Sequence, residues 1–126
     1  MATINRLTES LSVAPQLQPE DMAELARAGF KTVINNRPDG ESEDQPSSTE
    51  LAAAAEAAGL EYAHQPVVGN NITDVDIDGF DAIVSLAEQP VLAFCRTGTR
   101  CTTLWALTQA DELDNASILS TAEQAG

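Results

Sequence analysis

The chain's 126 residues hold 20 Asp and Glu against 6 Lys and Arg, a formal net charge of −14. That length fits one domain with one core, residues 1–126, and the charge argues against nucleic-acid phosphate as a partner. No apolar run approaches the roughly 18 residues of a membrane span, and no basic-then-apolar start marks a secretory leader. A cytoplasmic protein is expected, with its two cysteines, Cys95 and Cys101, reduced. No Cys/His cluster has metal-ligand spacing, so no metal or other cofactor is expected.

Taken in order, residues 4–7 and 11–14 read as short strands in a hairpin or edge pair. Residues 19–28 read as a helix: Pro19 suits a first turn, Glu20 and Asp21 its positive end, and Gly29 the stop. Met22, Leu25 and Ala26 fall at core-facing spacing. Residues 30–35 form a buried strand, then 36–45 a polar loop with Pro38 and Gly40. The alanine-rich stretch 47–58 is a helix capped by Ser47 or Ser48, with Glu50 in a capping box. A strand over 61–68 leads through a loop to a helix over 74–88, capped by Thr73. That helix offers Val75, Ile77, Phe80, Ile83, Val84 and Leu86 to the core. Pro90 precedes a strand over 91–94, and helices follow over 99–110 and 115–125. Strand and helix alternate at short spacing from residue 30 onward. The pattern predicts an α/β fold built of βαβ units, with a small, mainly parallel sheet flanked by helices.

The chemistry concentrates in PVLAFCRTGTRCTTLWAL, residues 90–107. An apolar strand ends at Cys95, a turn follows, and a helix begins. Ligands of parallel α/β folds sit at the carboxyl ends of strands. Backbone N–H groups of such a turn and the helix start favour an anion and lower the pKa of a thiol placed there. Arg96 and Arg100, two of only six cations, flank it. Cys95 is therefore the expected nucleophile, with Arg100 the group that grips an oxyanion through two donors. Arg96, Thr97, Gly98 and Thr99 complete the anion-binding loop, and Gly98 lets the backbone turn close to the bound group. The alternative is a buried, inert strand-end cysteine.

CRTGTR resembles the active-site loop of single-domain rhodaneses. A wider likeness runs through GFKTVINNRPDGESEDQP (residues 29–46), HQPV (64–67) and the 90–107 segment. Together these resemble the phosphatase-like domain of the β-lactamase-hydrolase-like family, also described as a family sulfur transferase. The resemblance covers nearly the whole chain and implies a fold like that of tyrosine and dual-specificity phosphatases. In some relatives this domain is fused to a persulfide dioxygenase, which implies that the chain acts either alone or with such an enzyme as a separate partner. Three departures stand out. Tyrosine phosphatases use Cys-X5-Arg, whereas Arg100 follows Cys95 after four residues; their usual His before the cysteine is Phe94; and position 101, their Arg, is Cys101. The shorter loop suits a sulfane sulfur better than a phosphoryl group. Residues 68–71, where a phosphatase acid belongs, hold no carboxylate, and Asp74 serves only if the loop folds back. Cys101 is either a filler or a resolving thiol for Cys95.

Arg37 either lines the same cleft as an anion ligand or pairs with Asp39 or Glu41. His64, the only histidine, reads as structural more readily than as a base. Leu104, Trp105 and Leu107 read as core packing. Three functions stay open: a sulfurtransferase moving sulfur from thiosulfate or a persulfide to a thiol acceptor through a Cys95 persulfide, a phosphatase acting through a phosphocysteine, and a non-catalytic thiol redox sensor.

Overall fold

The computed structural model describes residues 4–109. In chain order the elements are β1 (Asn5–Arg6), β2 (Leu11–Ala14), α1 (Asp21–Arg27), β3 (Thr32–Asn35), α2 (Ser48–Ala57), β4 (Glu61–His64), α3 (Asp74–Leu86), β5 (Val91–Phe94) and α4 (Thr99–Thr108). The five strands form one sheet in the order β1-β2-β5-β3-β4. Only the β1–β2 pair is antiparallel; β2, β5, β3 and β4 run parallel. The expected helix over 115–125 lies outside the described residues.

Strand alternation divides the core in two. In β5, Val91 and Ala93 face one side, with Leu11, Val13 and Ile34, and pack against Phe80, Leu104 and Trp105 of α3 and α4. Leu92 and Phe94 face the other side, with Val33, and pack against Met22, Leu25, Leu51 and Ala55 of α1 and α2. Both faces of the three central strands are covered, so β2, β3 and β5 are buried at every position. That is the pattern expected of a parallel sheet between helices.

The helix starts follow local chemistry. Ser47 caps α2 by accepting from the Glu50 backbone N–H at 3.1 Å. Thr73 and Asp76 close a full capping box on α3. Asp21 accepts from the Gln18 N–H at 2.8 Å, so α1 begins after Pro19 and not at it. β4 is shorter than the expected strand over 61–68, because Pro66 has no N–H to extend the ladder. In α3 only Phe80 is fully buried, with Ile77, Ile83 and Val84 packed beside it. Val75 and Leu86, also expected inside, are 79% and 88% exposed. A 3.6-residue period carries those two positions off the stripe defined by residues 77, 80 and 84. Leu107, likewise expected inside, is exposed, while Leu104 and Trp105 are buried.

Candidate active site at the Cys95 loop

β5 lies at the centre of the sheet and delivers Cys95, itself 1% exposed, at its carboxyl end. Gly98 then adopts φ +91°, a left-handed conformation that favours glycine, and becomes the N-cap of α4. A Cβ there would make an ordinary 3.5 Å contact with the Ala14 backbone, so conformation and not space selects glycine. This turn directs the Gly98 N–H onto the Cys95 sulfur at 3.1 Å. Cys95, Arg96, Thr97, Thr99, Arg100 and Thr103 line a cleft of about 270 Å³, closed on the far side by Gly69 and Ile72. The loop after β4 thus meets the loop after β5. A separate cleft of about 290 Å³ beside Phe80 and Trp105 has no cysteine, histidine or cation on its walls.

The Cys95 pKa is lowered to about 5. The largest cause is a hydrogen bond from the Cys101 thiol. Burial opposes the shift, and the backbone N–H groups of Cys101, Thr97 and Gly98 add to it. Because the pKa is depressed, the group is a thiolate above about pH 5 and a neutral thiol below it. The backbone share is the one the sequence points to; the neighbouring thiol leads it, and neither flanking arginine is among the causes. Cys101 itself is pushed well above the ordinary thiol range, by burial first and then by the hydrogen bond and charge of Cys95. In the structure its S–H donates to Asn36 Oδ1 at 3.2 Å, and an ionised Cys95, a stronger acceptor than an amide oxygen, competes for that proton. Replacing Cys101 by Ala is therefore expected to raise the Cys95 pKa, and Cys101→Ser to restore most of the shift. Alkylation rate against pH measures both.

Arg100 crosses to the loop after β3. Its Nη1 donates to the Val67 carbonyl at 3.0 Å, and to Glu41 Oε2 at 3.3 Å; Nη2 donates to Glu41 Oε1 at 3.3 Å. Arg37 Nε reaches the same Oε1 at 2.8 Å. Burial alone would raise the Glu41 pKa, but hydrogen bonds from Arg37 and Arg100, and their charge, hold it below the usual carboxylate value. The remaining Arg37 donors go to Gln16 at 3.0 Å and Ser42 at 3.2 Å. Arg37 thus takes the second of its two expected places, pairing with Glu41 and shaping the loop, and is not among the residues lining the Cys95 cleft. His64 Nε2 bonds the Arg37 carbonyl at 3.0 Å, a structural contact. Arg96 is exposed on the cleft rim, and the hydroxyls of Thr97 and Thr99 bond each other at 3.2 Å. Asp74 stands exposed on the first turn of α3 and is not part of the cleft wall. Among the described residues, no group of three His, Cys, Asp or Glu is placed to hold a metal, and no helix is long and apolar enough to cross a membrane.

The family description "Beta-lactamase hydrolase-like protein, phosphatase-like domain" matches residues 3–112. The chain belongs to this family. A Beta-lactamase hydrolase-like protein of Agrobacterium fabrum is 45% identical over 105 residues, which are 83% of this chain and 24% of that protein. One from Xylella fastidiosa is 39% identical over 103 residues, 82% of this chain and again 24% of the relative. The chain therefore spans about a quarter of the length of the curated relatives it matches. Among solved structures, a candidate phosphatase from Neisseria meningitidis superposes with a TM-score of 0.91 at 41% identity, over 98% of this chain and 88% of that one. TpbA of P. aeruginosa, solved with phosphotyrosine, gives 0.73 at 18% identity over 95% of this chain and 71% of that one, a likeness of fold alone. The domain is phosphatase-like in family and in fold.

Proposed function

We propose that this phosphatase-like domain is a cysteine-dependent enzyme whose Cys95 thiolate takes up sulfane sulfur. The observation that carries the reading is the composition of the cleft wall. Thiolate-stabilising donors surround Cys95, yet no residue lining the cleft is a carboxylate. Glu41, the carboxylate bound to Arg100, is held ionised by its two arginines and has no proton to donate. Phosphoryl transfer to the thiolate expels an alkoxide or phenoxide that benefits from an acid. Sulfur transfer does not. The thiolate attacks the outer sulfur of thiosulfate, the S–S bond breaks, and sulfite leaves with the bonding pair as a stable anion. The Cys95 persulfide then passes its outer sulfur to a thiolate or cyanide, regenerating the Cys95 thiolate with no net oxidation.

A second reading, phosphatase, is favoured by the family and by the phosphatase structures that share the fold. In that case the thiolate forms a phosphocysteine that water hydrolyses. One pair of assays separates the two. Sulfite release from thiosulfate with cyanide as acceptor is expected, and it must depend on Cys95. Phosphate release from an aryl phosphate without sulfite release would replace the first reading by the second.

A further inference from the structure

Arg100 carries one donor that the fold leaves unused. Its Nε is buried and makes no hydrogen bond. Burying such a donor without a partner is costly, and the guanidinium cannot lose its proton to relieve the cost. Glu41 occupies the tip of the guanidinium through Nη1 and Nη2, and the Val67 carbonyl holds Nη1 as well. The edge carrying Nε and the second N–H of Nη2 remains. A Cβ built on Gly69 would stand 3.1 Å from Nε and 3.4 Å from Nη2, so Gly69 lies against this edge. Gly69 does not have a positive φ. Any residue can adopt its backbone, and so the missing side chain matters for space and not for conformation.

We infer that Gly69 is a specificity-determining residue, whose lack of a Cβ leaves the space that one oxygen of an incoming oxyanion needs beside the buried, unpartnered side edge of Arg100. The inference rests on Cys95 being the nucleophile, but not on whether sulfur or phosphoryl moves. Gly69 and Arg100 line the cleft that holds Cys95, which puts the glycine, the guanidinium and the nucleophile around one binding space. Glu41 and Val67 hold the guanidinium in place, which leaves it little room to retreat from a methyl at position 69.

Paired alkylation of Cys95 by iodoacetate and iodoacetamide tests this without any turnover. The two reagents differ by a carboxylate, so their rate ratio, referred to a free thiol, reads anion recognition. The ratio should favour iodoacetate in the wild type. In Gly69→Ala it should fall about tenfold, the loss of roughly one charge-assisted hydrogen bond. An unchanged ratio in Gly69→Ala, or equal loss of both rates, would overturn the inference. Sulfate protection of wild-type Cys95 against iodoacetamide provides a check that does not need the variant. Protection that disappears in Arg100→Lys is expected, and absence of protection in the wild type also overturns it. If neither reagent labels wild-type Cys95, the nucleophile reading itself fails and takes this one with it.

Discussion

Cys95→Ser is expected to abolish sulfur uptake from thiosulfate while leaving the fold intact. The thiolate near Cys95 exists because its pKa is about 5. A serine hydroxyl in the same cradle stays protonated at neutral pH and is no substitute nucleophile for sulfur. The residue is buried in a tight turn, and Ser differs from Cys by one atom, so circular dichroism and thermal unfolding should change little. The wild-type rate should hold from neutral pH down to about pH 6 and fall as the pH drops through about 5, because the thiolate is then protonated. A rate that instead rises steeply between pH 7 and 9 would mean an ordinary thiol and would contradict the site as described.

Arg100→Lys is expected to lower kcat/KM for thiosulfate by about 10²–10³, the usual cost of losing a preorganised donor to a developing oxyanion. Lysine keeps the charge but has neither the fork nor a donor at the Nε position. It also loses the geometry that joins Val67, Glu41 and the loop after β3 in one network. Steady-state kinetics over a range of thiosulfate concentrations measures the effect. A lysine variant with wild-type kcat/KM would show that charge alone suffices and that the planar guanidinium has no part.

The sequence carried the fold far because its signals were local. Alternating short apolar strands and capped helices follow from residues a few positions apart, and Ser47, Thr73 and Gly98 each mark a helix start that the structure contains. The Cys95 turn was legible for the same reason, since strand, glycine and helix are contiguous. What the sequence hid depends on separation. Glu41 lies 59 residues before Arg100 in a polar loop; its pairing with Arg37 was one of the two places the sequence offered that arginine, but its bond to Arg100 had no local signal. Gly69 gave no signal either, because its role is proximity to a side chain of another loop. The Cys101 thiol was visible beside Cys95, but its weight in lowering the Cys95 pKa emerges only once the start of α4 is placed against the turn. Val75 and Leu86 went the other way: apolar residues on a helix read as core until the helical phase is fixed.

Intact-mass spectrometry of the wild-type protein after incubation with thiosulfate, beside Cys95→Ser, tests the central claim most directly. A mass gain of one sulfur atom in the wild type, discharged by cyanide and missing from the serine variant, is the predicted result. An unmodified wild-type mass, with phosphate released from an aryl phosphate by the same preparation, would contradict sulfur transfer and assign the Cys95 thiolate to phosphoryl chemistry.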